Sequence, residues 1–238
     1  MQVPGALWLG FNPSVNFTME ILIKLVLSYL IGSTSGSILL GKLKGVDIRN
    51  MGSGNAGGTN AFRTQGASFA AGVLGIDILK GFIAAKFISA ISLPIFSSSN
   101  VDPNILIILC GVVAVLGHVY PIYHGFRGGK GGGAAIGMIF AISWPAITLG
   151  ILFWLIILLL TGYVGLGTML GSISVIYFAH YFRYSINNPF FLPFTIFLSF
   201  FIIYTHRSNI KRMLDGTENR FEKAMIFRKK ISCYLKDE

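Results

Sequence analysis

Two glycine-rich segments that carry basic residues are the parts of the chain whose composition best suits chemistry. They are GSGNAGGTNAFR at 52–63 and GFRGGKGGG at 125–133. Glycine removes side-chain bulk and exposes backbone N–H groups, so such loops can surround an anionic group while Arg or Lys supplies charge. Phosphate fits better than carboxylate because it has more oxygens to bind. We therefore expect phosphate binding; the alternative is that the glycines serve flexibility or close helix packing.

Neither segment has the context of a nucleotide-binding motif. Gly52, Gly54 and Gly57 match GxGxxG, but a Rossmann site needs a preceding strand within a βαβ unit, and the sequence offers none. The second segment lacks the Walker spacing and the Ser or Thr that should follow Lys130. Rossmann and P-loop proteins are therefore excluded.

Ionisable residues inside apolar runs are a second group of candidates, because burying a charge in a membrane costs free energy. Asp77 and Lys80 are three residues apart and can pair on one helix face. A structural ion pair that positions a loop fits this spacing as well as substrate contact does. His118 ends an apolar run just before the second glycine-rich segment, and His206 opens a basic tail.

Several familiar reactive centres are absent from the sequence. The four histidines and two cysteines show no zinc-site spacing, so we expect neither a metal nor another cofactor. No GxSxG elbow occurs, and no histidine begins an HxxxxD motif.

The composition of the 238 residues indicates an integral membrane protein. Hydrophobic residues make up 53% and charged residues 12%, against about 25% charged in globular proteins. The mean hydropathy is +0.70. Soluble enzymes, nucleic-acid-binding proteins and disordered chains are therefore excluded. The net charge of +10 fits basic cytoplasmic loops, anionic headgroups or a phosphorylated substrate.

The apolar stretches predict a helical bundle whose orientation follows from its basic loops. The stretches are 21–43, 67–96, 104–123, 134–182 and 190–205. The loop with Arg49 and Arg63, the loop with Lys130 and the tail after Thr205 all fall on one face, which the positive-inside rule makes cytoplasmic. This leaves the N-terminus outside. The block 134–182 then needs an odd number of crossings, and three short helices, with breaks at Pro145 and at Thr161–Gly162, give about seven in total.

Four pieces of the chain, in order and spacing, resemble the bacterial glycerol-3-phosphate acyltransferases that use acyl phosphate, the PlsY family. They are the segments 29–60, 75–81, 117–133 and 204–221. The resemblance implies an all-α protein with seven membrane helices. It also implies transfer of a fatty acyl group to the 1-hydroxyl of glycerol 3-phosphate, giving 1-acylglycerol 3-phosphate (lysophosphatidic acid) and phosphate, the first step of phospholipid synthesis.

The resemblance also implies site residues. Five residues are expected to bind substrate phosphate, align the reaction or donate hydrogen bonds: Ser33, Arg49, Lys130, His206 and Asn209. Eight residues match the conserved glycine-rich loops of the family and are expected to surround the substrate phosphate: Gly52, Gly54, Asn55, Thr59, Asn60, Gly128, Gly129 and Gly131. Those with a supporting role are Asp77, Lys80, His118, Arg127 and Glu218.

The expected mechanism is direct attack without a covalent enzyme intermediate, because phosphate leaves readily from a mixed anhydride. Arg49 and Lys130 would then position the substrates and stabilise charge, with His206 as general base the alternative. The chain departs from the family pattern at Ser35, Ala134 and Gly165, where the family usually has proline, threonine and serine.

The remaining expectations concern organisation and location. Residues 1–17 are expected to form an N-terminal extension, 18–206 the membrane domain and 207–238 a basic cytoplasmic tail. The resemblance implies a multi-pass protein of the bacterial inner membrane, active at the cytoplasmic face, with acyl phosphate, glycerol 3-phosphate and membrane lipid as partners and no nucleic acid. We expect a monomer. The alternatives are a transporter of a phosphorylated small molecule and a structural membrane protein.

Overall fold

The computed structural model describes residues 19–93, 101–222 and 225–226, and within them the chain forms helices and loops without a strand. The expected N-terminal extension 1–17 and the end of the tail lie outside the described residues. The helices are α1 (Met19–Ser33), α2 (Gly36–Leu43), α3 (Gly58–Gln65), α4 (Ala67–Ile83), α5 (Pro103–Val119), α6 (Gly132–Ile142), α7 (Trp144–Thr161), α8 (Val164–Tyr181), α9 (Phe191–Thr205) and α10 (Arg207–Leu214).

The described helices confirm an all-helical membrane architecture. Four are long and apolar enough to cross a bilayer: α4 with the π-helical turn Ala84–Ile88 that extends it, α5, α7 and α8. The pair α1 and α2 also qualifies if taken as one span bent by 47°. The helices α6 and α9 are apolar but shorter. The number of crossings and the side on which each end lies stay predictions.

The block 134–182 contains parts or all of three helices, α6 to α8, and local sequence explains their ends. Ser143 separates α6 from α7, and its Oγ accepts a hydrogen bond from the Ala146 amide at 3.4 Å. Pro145 follows in the first turn of α7, where its missing N–H costs nothing. The helix ends before Gly162, whose left-handed conformation suits a helix terminus.

Close approaches at glycine hold the helices together. The principal packing pairs are α1 with α5, α4 with α6, α7 with α8 and α8 with α9. At Gly137 of α6, an added Cβ would overlap the carbonyl oxygen of Ile78 on α4, and at Gly81 of α4 it would overlap the carbonyl oxygen of Ala134. Small residues at such positions let helix backbones meet where lipid provides no hydrophobic force between helices.

The segment after α10 returns across the ends of α7 and α8. The Phe221 amide donates to the carbonyl of Gly162 at 2.7 Å, and the Ile226 amide donates to the carbonyl of Leu159 at 3.0 Å. The Phe221 ring also packs edge-on against Phe62 of α3, with 5.1 Å between ring centroids. The polar end of the chain is thereby fixed beside α3.

The contact between α4 and α6 predicts that Gly137→Ala destabilises the protein. The new Cβ meets backbone, which cannot move aside as a flexible side chain can, so we expect a loss of about 1–3 kcal/mol. The matched control is Gly75→Ala on α4, where an added Cβ meets nothing within 4 Å and helix propensity changes by about 1 kcal/mol in favour of Ala. Thermal unfolding in detergent measures both; equal unfolding temperatures would contradict the packing described.

Candidate active site

A cavity of about 570 Å³ lies among α3, α4, α6, α7, α8, α9 and α10, and its two ends differ in chemistry. The polar end is lined by Ser53, Asn55, Thr59, Arg63, Lys130, His206, Asn209, Arg212 and Glu218. The apolar part is lined by Ile136, Ile139, Ile147, Trp154, Leu158, Val175 and Leu198, among others. The cavity can therefore hold a molecule with an anionic head and a hydrocarbon chain.

A hydrogen-bonded chain organises the polar end. Lys130 Nζ donates to Asn209 Oδ1, and Asn209 Nδ2 donates to Glu218 Oε1 at 3.0 Å. Arg212 Nε donates to the other oxygen of Glu218 at 2.6 Å. Three cations, with Arg63 the third, therefore meet one buried carboxylate at this end. The excess positive charge favours binding of an oxyanion.

Lys130 is held at this end by its own backbone. Thr205 Oγ1 at the end of α9 donates to the Lys130 carbonyl at 2.9 Å, and α6 begins two residues later. Burial, followed by the charge of Arg212, lowers the pKa of Lys130 to about 8. The ammonium group is therefore mainly charged at neutral pH but loses its proton within the range of ordinary assays.

His206 presents an unprotonated nitrogen at the cavity. Its Nδ1 lies 2.8 Å from the Ile202 carbonyl, which can only accept, so Nδ1 carries the proton and Nε2 has a lone pair. Burial lowers the pKa of His206 to about 4. The ring is neutral at physiological pH and can accept a hydrogen bond from a substrate hydroxyl, but it is a weak base.

Asn60 closes the first glycine-rich loop. Its Nδ2 donates to the carbonyls of Ile48 and Met51 at 2.9 and 3.0 Å, and its Oδ1 accepts from the Ser53 amide at 3.0 Å. Gly52, at φ +56°, has no room for a side chain, because a Cβ would overlap Asn60 Oδ1. Gly54 lies in the same turn. This turn brings Ser53 and Asn55 to the cavity.

Arg63, Ser53 and Arg212 are cavity residues that the sequence analysis did not propose. Arg63 ends the first glycine-rich segment, on α3, and its Nη2 donates to the Asn219 carbonyl at 3.2 Å. A signal was available: Arg63 follows Asn60 by three residues, so on a helix both lie on one face. Burial lowers the pKa of Arg63, although an arginine keeps its charge in proteins.

Ser33 and Arg49 do not line this cavity. The guanidinium of Arg49 is bound to Asp47, with Nη2 to Oδ2 at 2.7 Å, and its Nη1 donates to the His124 carbonyl at 3.3 Å. The hydrogen bond to Arg49 lowers the pKa of Asp47. Ser33 Oγ is fully buried and accepts from the Ile122 amide at 3.4 Å. Both residues therefore connect the start of the chain to the loop after α5.

The second glycine-rich loop uses its amides within the protein. The Gly128 amide donates to the Val119 carbonyl at 3.2 Å, and the Gly129 amide donates to the His118 carbonyl at 3.1 Å. Gly131 is the N-cap of α6. Arg127 is exposed and does not line the cavity. In this structure the loop's glycines fit closely against the end of α5 and lead the chain to Lys130.

Asp77, Lys80 and His118 form one buried cluster, of which Asp77 and His118 touch the cavity. Lys80 Nζ lies 2.9 Å from Asp77 Oδ1, and His118 Nδ1 lies 3.4 Å from the same oxygen. The spacing of Asp77 and Lys80 predicted such a pair. Among the described residues, no group of three His, Cys, Asp or Glu side chains could hold a metal ion.

The three departures from the family pattern differ in their relation to the site. Gly165 on α8 lines the cavity, and a Cβ there would lie 2.8 Å from Asn209 Nδ2. Ala134 is fully buried against α4. Ser35 lies between α1 and α2, with its Oγ 3.1 Å from Ser37 Oγ. Of the three positions, Gly165 alone lines the cavity.

Comparison with known proteins supports the resemblance found in the motifs. The model of the glycerol-3-phosphate acyltransferase family matches residues 22–216. The glycerol-3-phosphate acyltransferase of Aquifex aeolicus is 40% identical over 203 residues, which cover 85% of this chain and all of the relative. That of Chlorobaculum tepidum is 40% identical over 220 residues, covering 82% and 94% of the two chains.

Two solved structures resemble the fold. The crystal structure of PlsY (YgiH), an integral membrane glycerol 3-phosphate acyltransferase, in its glycerol 3-phosphate form has a TM-score of 0.73 and 39% identity, covering 84% of this chain and 95% of that one. Its lysophosphatidic acid form gives 0.71 and 38%, covering 84% and 94%. With a family match over most of the chain and relatives at this identity, the protein belongs to the glycerol-3-phosphate acyltransferase family, in its PlsY branch.

Proposed function

We propose that this protein transfers a fatty acyl group from acyl phosphate to the 1-hydroxyl of glycerol 3-phosphate at the polar end of the cavity. The observation that carries the proposal is the grouping of Lys130, Arg63 and Arg212 at one end of an otherwise apolar cavity. Both substrates bear phosphate, and the donor bears a hydrocarbon chain. A transporter of phosphorylated molecules needs no such chain-shaped apolar space, and the family membership does not favour it.

The reaction needs no covalent enzyme intermediate. The 1-hydroxyl oxygen attacks the acyl carbonyl carbon, the bond from that carbon to the phosphate oxygen breaks, and phosphate leaves with the electron pair. The hydroxyl proton passes to a phosphate oxygen. Lys130 binds the phosphate of glycerol 3-phosphate and also stabilises the negative charge that develops on the carbonyl oxygen. Phosphate is a good leaving group, so positioning provides much of the rate.

We assign the protein groups at this end to positioning and charge. Arg63 and Arg212 hold substrate phosphate, with Ser53, Asn55 and Thr59 as hydrogen-bonding partners at the same end of the cavity. His206 Nε2 accepts the hydrogen bond of the attacking hydroxyl and orients it, because a pKa of about 4 suits an acceptor better than a general base. Arg49 and Ser33, which do not line the cavity, order the loops that carry these residues.

The acyl chain lies in the apolar part of the cavity. Leu158 is near the polar end, because Gly162 beyond it contacts Phe221 of the returning tail. Three turns of α7 separate Leu158 from Ile147, about 16 Å at 1.5 Å per residue. That length accommodates a long acyl chain, and the buried side chains of Ile139, Ile147 and Val175 close its far end.

The proposal extends to topology and location. Seven crossings, with α1 and α2 as one bent span, place α3, α10 and both glycine-rich loops on one side of the bilayer. Their basic residues make that side cytoplasmic, in the inner membrane of a bacterium, with the N-terminus outside. The proposal also includes domain limits at 18–206 and 207–238, a monomeric state and the absence of cofactors.

The first test compares two arginines in a reconstituted assay. Purified protein with glycerol 3-phosphate and palmitoyl phosphate should form lysophosphatidic acid. Arg63→Ala should raise the KM for glycerol 3-phosphate by about tenfold or more, since a charge-assisted hydrogen bond contributes about 1.5–3 kcal/mol. Arg49→Ala removes a partly exposed pair and should cost less than about fivefold. A larger effect of Arg49→Ala than of Arg63→Ala would mean that Arg49 binds the phosphate. Saturable uptake of glycerol 3-phosphate by protein-containing liposomes, without acylation, would favour transport.

The second test is the pH dependence of kcat/KM. Lys130 is protonated below its pKa of about 8, so binding of the phosphate dianion should weaken as pH rises through this value. A phosphate monoester has its second pKa near about 6, so the substrate does not titrate there. Lys130→Arg keeps its charge and should move the basic limb to higher pH; an unchanged limb in this variant would exclude Lys130 as its source.

The third test measures chain-length preference. Ile147→Trp fills the far end of the apolar cavity, so kcat/KM should fall by about tenfold or more for palmitoyl phosphate, and much less for decanoyl phosphate, because overpacking costs about 1–3 kcal/mol. The matched control is Ile156→Trp, also on α7, where the side chain is 52% exposed and outside the cavity lining. Equal effects on both donors would mean that the acyl chain lies elsewhere.

A further inference from the structure

We infer that His118, held by Asp77, is a positioning residue for the reaction: its ring supports the backbone of Gly129 and thereby sets the place of Lys130. The inference rests on the proposed function, in which Lys130 acts on substrate phosphate. It assigns a role to a buried polar cluster that none of the steps above uses.

Asp77 joins three parts of the fold. Its Oδ1 pairs with Lys80 Nζ at 2.9 Å, lies 3.4 Å from His118 Nδ1 and accepts from the Gly36 amide at 3.4 Å. Lys80 Nζ also donates to the Thr34 carbonyl at 2.6 Å. The cluster therefore links α4 to the break between α1 and α2 and to the end of α5. Asp77, Lys80 and His118 are 2%, 3% and 5% exposed, so water does not compete for these contacts.

The ring of His118 lies directly beneath the second glycine-rich loop. At Gly129 an added Cβ would overlap His118 Nε2, and the Gly129 amide donates to the His118 carbonyl at 3.1 Å. Lys130 is the next residue, and its carbonyl is fixed by Thr205 at 2.9 Å. The path of the chain into Lys130 is therefore bounded by the His118 ring on one side and by α9 on the other.

The same geometry argues against His118 as a general base. An aspartate paired with a histidine beside a cationic cavity is an arrangement found in catalytic dyads. Here Nδ1 is buried on the Asp77 side, and Nε2 faces the Gly129 backbone. Both ring nitrogens therefore face protein groups, so the ring acts through its shape and its fixed orientation.

Two substitutions at His118 test the contact of the ring with the loop. Asn places an amide N–H near the position of Nδ1 and keeps a polar contact with Asp77, whereas Leu provides bulk without it. We expect His118→Leu to raise the KM for glycerol 3-phosphate by about tenfold or more, with a smaller effect on kcat, because a displaced Lys130 loses a charge-assisted hydrogen bond to the phosphate. His118→Asn lacks the Nε2 side of the ring that lies against Gly129, so it should also raise this KM.

Binding of inorganic phosphate, measured by calorimetry on the full chain in detergent, provides a readout without turnover. It should weaken in His118→Leu as much as the KM rises, and stay unchanged in Gly75→Ala, which alters α4 where an added Cβ meets nothing within 4 Å. If His118→Leu does not fold, Gly129→Ala approaches the same contact from the loop and should give the same loss of binding.

Two results would overturn the inference. One is wild-type phosphate binding in His118→Leu or, if that variant does not fold, in Gly129→Ala. The other is an equal loss of kcat, with unchanged phosphate binding, in both His118 variants, which would make the ring a direct participant. If the wild-type protein binds phosphate but never acylates glycerol 3-phosphate, the proposed function is wrong. The phosphate-binding data would still test the positioning role of His118.

Discussion

The organisation of the site depends on one buried carboxylate among cations. Glu218 is 6% exposed and binds Asn209 and Arg212, and through Asn209 it reaches Lys130. Without an acidic partner, three cations this close would repel one another at the edge of a low-dielectric medium. With a single carboxylate the network keeps a net positive charge, so it is held together and still attracts phosphate. Removing one partner of such a buried network is costly, because the other charges stay buried.

The membrane explains the division of the cavity. Helices in lipid must satisfy their backbone groups internally, so irregular backbone is confined to the ends of the bundle, where both glycine-rich loops lie. In the proposed function the acyl chain, which needs no hydrogen bonds, lies among α6, α7 and α8. A polar acceptor needs charges and can reach them only at the end of the bundle. In the proposed reaction, one cavity with a polar and an apolar part would bring two substrates of different polarity together.

Sequence reasoning identified the membrane class and the family, because these depend on residue type. Lys130 comes from one segment and His206, Asn209 and Glu218 from another, and all four line one cavity in the structure. Which basic residue of the first loop region lines the cavity was beyond sequence reasoning. Arg49 and Arg63 are both basic residues of one loop region, and only the fold shows that the first is bound to Asp47 while the second lies on the cavity face of α3. The role of the loop glycines could not be predicted from the sequence either, because close packing and anion binding both require a backbone without side chains. In the structure, the amides of Gly128 and Gly129 donate hydrogen bonds to the end of α5.

The returning segment after α10 has a consequence for how the protein is made. It contributes Glu218, and its Phe221 amide is bound to the end of α7. During synthesis these residues leave the ribosome after all ten α-helices of the described residues have been made. A nascent chain can therefore insert its helices and form its apolar cavity while the polar end still lacks its carboxylate. The charge network cannot be complete before Glu218 has been made, so under the proposed function we expect substrate binding to begin only after the membrane helices are in place.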